Sequence, residues 1–373
     1  MIVLKYLKAN SAYLMAMALT VLSVSACVTN GDNISHESAS EVAKLQSGAS
    51  VSDEIALKAL NEDYQNKLDG VKDLADQIGF LHITADNLAK FRADEAAKPY
   101  RPKASPHVFK KVIPGQPNQA DVTVYVINAK QGDKKPALLY MHGGGYILGS
   151  AAHSVGGMQK VAEQHDATVV VVEYRLAPET PFPGSLEDNY AALKWMYQNA
   201  DEIGINKDNI VIMGSSAGGG HAAMLAIAAR DRGEMPVKHQ ILIYPMLDDR
   251  TGSSRKVPAH IGQLLWTRTS NQFGWSSLLG QPAGMDTVPY GSVPARVKDL
   301  SGLPPTDIIV GAIDLFVEEN IDYAKRLIQA GVATELHVLP GMFHASENVY
   351  RDADVSKQFH QIKDNAIKQA LRQ

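Results

Sequence analysis

Gly214-Ser215-Ser216-Ala217-Gly218 is the segment of this chain whose residue types and spacing are best suited to chemistry. A serine hydroxyl is a weak nucleophile until the backbone lifts it clear and a base removes its proton. The G-x-S-x-G spacing supplies the first condition, because small residues permit a sharp strand-to-helix turn with the serine at its apex. Ile210–Met213 reads as a strand, and a helix begins near Gly219. The helix N-terminus then lies beneath the serine and favours developing negative charge. A phosphate loop could also use such a turn, but no lysine follows as in a P-loop and the glycine spacing is not that of a dinucleotide site. Ser216 is the candidate nucleophile, with the Ala217 N–H placed to face an oxyanion.

A nucleophile of this kind needs donors for the oxyanion, a base and an orienting acid. His142-Gly143-Gly144-Gly145-Tyr146 follows the apolar strand Ala137–Met141, and its three glycines let backbone N–H groups crowd a small volume. His142 so close to the oxyanion site reads as an orienting residue, not as the base. The base is expected late in the chain, and His344 in Gly341-Met342-Phe343-His344 sits on a loop after the last strand. By contrast, His337 falls in a strand, His360 in a helix and His36 in a polar segment. Acids stand at two strand ends, Asp248/Asp249 after Gln240–Tyr244 and Asp314 after Asp307–Val310. Asp314 is the favoured one, since Ser216, Asp314 and His344 keep the serine–acid–histidine order.

The elements that must position these groups alternate. Val108–Ile113 and Val122–Ile127 read as strands separated by a Pro-Gly turn. Strand Thr168–Glu173, a helix near Leu186–Asn199, strand Ile210–Met213, helix Ala222–Arg230 and strand Gln240–Tyr244 follow. Strand Asp307–Val310, helix Val317–Ala330, strand Glu335–Leu339 and a helix near Lys357–Leu371 complete the series. A run such as Val169-Val170-Val171-Val172 suits a strand covered on both faces, so a mostly parallel twisted sheet of about eight strands flanked by helices is expected. Residues 248–303 break the alternation and carry Trp266, Phe273 and Trp275. They are too long for a plain loop and read as a cap element inserted over the carboxyl ends of the strands.

The first hundred residues differ in texture. Lys5 and Lys8 precede an apolar run from Ala12 to Val24, which ends in Val24-Ser25-Ala26-Cys27. A basic start, a short apolar run and small residues before a cut site make residues 1–26 a signal peptide. The run is too short for the roughly 20 residues of a spanning helix. The chain's one cysteine falls where a bacterial lipobox places its lipidated cysteine, so Cys27 is the expected lipid attachment point. Val28 in place of an aspartate that marks inner-membrane retention favours the outer membrane. Residues 27–52 read as a flexible tether. Residues 53–105, with Ile55, Leu57, Leu60, Leu68, Val71, Leu74 and Ile78 at three- and four-residue steps, read as an N-terminal helical cap ahead of a catalytic domain spanning 106–373. Composition adds exclusions. A net charge of −4 over 373 residues leaves no basic footprint for nucleic acid, and one cysteine permits neither an internal disulfide framework nor a thiolate zinc cluster.

These motifs, in order, resemble the hormone-sensitive-lipase-like esterases, the HGGG group of α/β-hydrolases. The resemblance runs from about Val108 to the end through Leu138–Ser150, Glu173–Asp188, Ile210–Gly219, Gln240–Leu247, Asp299–Pro305, Ala312–Phe316 and Leu339–His344. It implies an α/β-hydrolase fold with a helical cap, nucleophile Ser216, acid Asp314, base His344 and oxyanion donors at Gly144, Gly145 and Ala217. It further implies hydrolysis of short- to medium-chain acyl esters through an acyl-enzyme, without metal or organic cofactor. Arg175 and Glu187 fall in segments that are structural in the family, and Tyr146, Trp266 and Phe273 are candidate pocket liners. Two positions depart from the family pattern: Ser215 stands where many relatives carry an acid, and Leu315-Phe316 follows Asp314 in place of Pro-Leu. The same machinery serves amidases, thioesterases and deacetylases of envelope glycans. A ligand receptor on this fold is the reading of another class, and such receptors typically lack the base or nucleophile that this chain retains.

Overall fold

A computed structural model describes residues 82–372. The expected signal peptide (1–26), Cys27, the expected tether and residues 53–81 of the expected N-terminal cap lie outside the described residues. Among the described residues helix α1 (Ala85–Ala96) comes first, and its N-cap Thr84 and Asn87 satisfy each other's backbone N–H groups in a capping box.

Eight strands follow: β1 (Val108–Ile113), β2 (Val122–Ile127), β3 (Lys135–Met141), β4 (Thr168–Glu173), β5 (Ile205–Ser215), β6 (His239–Ile243), β7 (Thr306–Gly311) and β8 (Thr334–Leu339). They form one sheet in the order β1-β2-β4-β3-β5-β6-β7-β8. β2 pairs antiparallel with both β1 and β4, and every other pairing is parallel. The connecting helices are α2 (Ala151–His165), α3 (Gly184–Gln198), α4 (Ala200–Ile203), α5 (Ala217–Arg232), α6 (Arg268–Leu279), α7 (Val317–Gln329), α8 (Ser346–Val349) and α9 (Asp354–Ala370).

Side-chain alternation along the strands explains the two layers of helix. Val170 and Val172 of β4 pack into one core with α3 and α5, whereas Val169 and Val171 pack into a second core with α2 and α9. All four valines are fully buried, as expected for a strand covered on both faces.

β5 begins five residues earlier than the apolar run suggests, because Ile205 pairs with Lys135 through the polar stretch Asn206–Asn209. α2 has no counterpart in the sequence reading, since Gly156 and Gly157 interrupt its pattern. It buries Ala151, Val155, Met158 and Ala162 along one face, and its N-cap Ser150 accepts the Ala152 N–H. Between β6 and β7, residues 248–303 hold α6 and a short 3-10 turn at Pro294–Arg296. Among the described residues, no helix is long and apolar enough to cross a membrane.

Candidate active site

Ser216 sits between the end of β5 and the start of α5, at φ 59° and ψ −122°. That conformation disfavours any residue with a Cβ, and the surroundings hold it there. The Ser216 N–H donates to the Ile243 carbonyl, while its own carbonyl accepts from Gly220 and Met246. The flanking glycines are sterically required. A Cβ on Gly214 would lie 2.0 Å from the Gly218 carbonyl oxygen, and one on Gly218 would lie 2.1 Å from that of Met141.

His344 Nε2 lies 3.0 Å from Ser216 Oγ, and His344 Nδ1 lies 2.8 Å from Asp314 Oδ2. The other Asp314 oxygen accepts the Phe316 N–H at 2.9 Å, so the carboxylate is held at both ends. All three residues are buried. The imidazole is enclosed by the rings of Tyr244 at 4.8 Å and Phe316 at 5.2 Å, both edge-on, and by Trp266 at 6.4 Å. Neither Tyr244 nor Phe316 stands among the site residues expected from sequence, although Phe316 is marked there as a departure. Phe316 is the departure from the family's Pro-Leu, and it supplies both a ring and an N–H.

The competing acids are engaged elsewhere. Asp248 is bound by Arg250 through both carboxylate oxygens, and Asp249 accepts from Arg296 and from the Gly284 N–H. Arg175 and Glu187 are likewise scaffold: Arg175 chelates Asp188 and Glu187 pairs with Arg232.

Across from Ser216 runs the glycine loop. Gly143, which had no assigned role, is the loop glycine at which an added Cβ would meet the nucleophile's side chain, Ser216 Cβ, at 3.3 Å. Among the described residues, the N–H groups of Gly144 and Gly145 have no intramolecular acceptor. Ala217, the first residue of α5, has no carbonyl one turn back to bind. Three backbone donors thus remain available. The direction of the Gly145 N–H is set by the turn that follows: Ile147 N–H and Leu148 N–H both donate to the Gly144 carbonyl, at 3.1 and 2.8 Å. That carbonyl and the Gly145 N–H belong to one planar peptide unit, so fixing one end fixes the other.

The aromatic candidates separate. Trp266 lies over the loop, with a Cβ on Gly145 falling 2.0 Å from its ring. Tyr146 does not line the cleft: a backbone φ of 69° turns its ring inward, against His221 and Trp275, and its hydroxyl donates to the Met246 carbonyl. Phe273 is half-buried on α6 beside Gly274, where the helix touches the loop closely enough that a Cβ would come 2.5 Å from the Gly145 carbonyl oxygen. Ser215 Oγ lies 3.3 Å from the Tyr140 hydroxyl, a neutral contact where an acid would place a charge.

Gly145→Ala is therefore expected to fail twice, through the Trp266 ring and through a φ of 60°. A displaced donor of this kind costs about 100-fold or more in kcat. Steady-state kinetics on a soluble ester, with circular dichroism to establish folding, checks it.

His142 stacks on Tyr174 at 4.1 Å and its Nδ1 contacts the Gly143 carbonyl oxygen. Burial holds its pKa down to about 4, and holds that of His221, edge-on to Tyr174, down to about 3. Both rings are neutral in the fold at pH 7, which excludes His142 as a cationic oxyanion partner. In the unfolded chain each titrates near pH 6.5, so between that value and its folded pKa the folded protein binds fewer protons. Their contribution to stability is complete above about pH 6.5 and falls as pH drops toward 4. The thermal midpoint is expected to decline over that window, and His221→Leu should flatten the decline.

Among the described residues no group of three His, Cys, Asp or Glu side chains could hold a metal ion. What the arrangement can do is transfer an acyl group: a nucleophile, a base and an acid that orients the base form one relay, beside a glycine loop with unspent N–H groups.

Comparison with known proteins agrees with that geometry. Residues 138–348 match the family model described as alpha/beta hydrolase fold. Esterase LipI of Mycobacterium tuberculosis is 35% identical over 210 residues, which covers 56% of this chain and 65% of that protein. Carboxylesterase NlhH of the same organism is 34% identical over 228 residues, covering 58% and 68%. The chain thus spans a little under two thirds of the length of LipI. Among solved structures, a bacterial heroin esterase superposes with a TM-score of 0.71 at 34% identity, covering 85% of this chain and 99% of its own.

Proposed function

The chain belongs to the α/β-hydrolase-fold family whose model spans residues 138–348, and from that premise we propose a carboxylic-ester hydrolase that works through an acyl-enzyme on Ser216. The observation that carries this reading is the continuous relay Asp314–His344–Ser216, at 2.8 and 3.0 Å, facing a loop with unspent N–H donors.

In the acylation step, His344 Nε2 takes the Ser216 proton as Oγ attacks the ester carbonyl. Asp314 holds the imidazole in the Nδ1–H tautomer and stabilises the imidazolium that forms. The oxyanion is received by the N–H groups of Gly144, Gly145 and Ala217, beside a buried relay where each hydrogen bond counts for more than in open solvent. His344 returns the proton to the leaving alkoxide, and the alcohol departs. Water, activated by the same imidazole, then hydrolyses the acyl-serine.

Trp266 and α6 roof the loop, which supports short to medium acyl groups as substrates. The test is a p-nitrophenyl ester series from acetate to decanoate, run beside acyl-amides, thioesters and acetylated sugars. Turnover concentrated on short esters, absent in Ser216→Ala, supports the reading; failure on every ester at high enzyme concentration defeats it.

The envelope location is a proposal from sequence, supported by the apolar run and the small residues before Cys27. Incorporation of labelled fatty acid by the full chain, lost in Cys27→Ala, tests it.

A further inference from the structure

Helix α1 stands outside the sheet, yet three of its polar contacts converge on the oxyanion loop. Arg92 uses every nitrogen of its guanidinium. Nε donates to the Ile147 carbonyl at 2.9 Å, one terminal nitrogen donates to the Ala177 carbonyl at 2.7 Å, and the other binds Glu179 at 2.6 Å. One turn further on, Glu95 accepts the Gly149 N–H at 2.9 Å. Gly149 in turn packs onto the start of the loop, where a Cβ would lie 2.3 Å from the Gly143 carbonyl oxygen.

Peptide planarity makes these contacts consequential. The Ile147 carbonyl that Arg92 holds shares a rigid unit with the Leu148 N–H, and that N–H donates to the Gly144 carbonyl at 2.8 Å. The Gly144 carbonyl shares the next rigid unit with the Gly145 N–H. Two peptide planes joined by one hydrogen bond therefore link the guanidinium to an oxyanion donor. Ala177 closes the frame, because its N–H binds the Tyr146 carbonyl while its own carbonyl binds Arg92. Glycines at 143, 144 and 145 give the loop little torsional stiffness of its own, so its direction has to be imposed from outside.

We propose that Arg92 is a positioning residue that aims the Gly145 N–H at the oxyanion, through the Ile147 and Gly144 peptide units. Arginine suits the position because its planar fork holds two carbonyls at once in fixed relation, which a lysine ammonium cannot do as rigidly. The inference rests on the ester-hydrolase reading, since it concerns the oxyanion formed in that reaction.

The experiment compares wild type, Arg92→Met and Arg92→Lys in full-length protein. It measures kcat and KM on a short p-nitrophenyl ester and the Ki of an aryl trifluoromethyl ketone, which forms an oxyanion on the serine. Loss of aim should cost about 10- to 100-fold in kcat, less than removal of a donor outright. KM should stay within about threefold, and the ketone Ki should rise in proportion to the fall in kcat/KM. Arg92→Lys should recover part of both. A folded variant with kcat and Ki unchanged overturns the proposal, and so does a kcat loss with Ki unchanged. If Arg92→Met does not fold, Arg92→Lys decides by the same pair of readings. A wild type that neither hydrolyses esters nor binds the ketone refutes the ester-hydrolase reading and this inference with it, whereas an active wild type with indifferent variants refutes this inference alone.

Discussion

Ser216→Ala is expected to lower kcat/KM on short esters by roughly 10⁴- to 10⁶-fold, because removing the nucleophile leaves only the oxyanion donors and substrate binding. KM should change little, since the hydroxyl acts in the transition state. The same residue also makes a stability prediction. A φ of 59° with ψ −122° costs on the order of 1–3 kcal/mol for a residue with a Cβ. The contacts that enforce it, Ser216 N–H to Ile243 and the Ser216 carbonyl to Gly220 and Met246, are backbone contacts and survive substitution. Ser216→Gly should therefore be as inactive as Ser216→Ala yet melt at a higher temperature. Equal melting temperatures would mean that the elbow stores no strain.

Asp314→Asn is expected to cost about 10⁴-fold in kcat, because an amide facing Nδ1 no longer enforces the tautomer that leaves Nε2 free to accept the serine proton. The fold should persist, since the asparagine oxygen can still accept the Phe316 N–H that Asp314 Oδ1 now binds. Asp248→Asn is the informative contrast. Asp248 is buried and chelated by Arg250, so its loss should appear in stability while turnover stays within about tenfold of wild type. A dead Asp248→Asn beside an active Asp314→Asn would reassign the acid. Paired kinetics and thermal melts of the two variants distinguish these outcomes.

The parts of the fold legible in the sequence were those where local pattern and tertiary burial agree. Val169–Val172 can be buried on both faces only within a sheet covered by helices, and Gly214–Gly218 can form only a tight turn. α2 was not legible because Gly156 and Gly157 lower helix propensity at its centre, and packing on β4 outweighs them. Tyr146 misled because adjacency to the glycine loop suggests a pocket wall, while a single positive φ sends the ring into the core. Arg92 carried no signal at all. Its carbonyl partners lie 55 and 85 residues away in the chain, and carbonyls have no sequence signature. The side chains that meet as Asp314, His344 and Ser216 were legible by type and order, whereas the groups packed around them were not, since backbone geometry and long-range contacts decide those.

The most direct measurement of the central claim is intact mass and peptide mapping after reaction with a fluorophosphonate probe, in wild type, Ser216→Ala and His344→Ala. The relay at 3.0 and 2.8 Å predicts one adduct per chain on Ser216 in wild type, none in Ser216→Ala, and strongly slowed labelling in His344→Ala. An unlabelled wild type, or an adduct on another residue accompanying ester turnover, would contradict it.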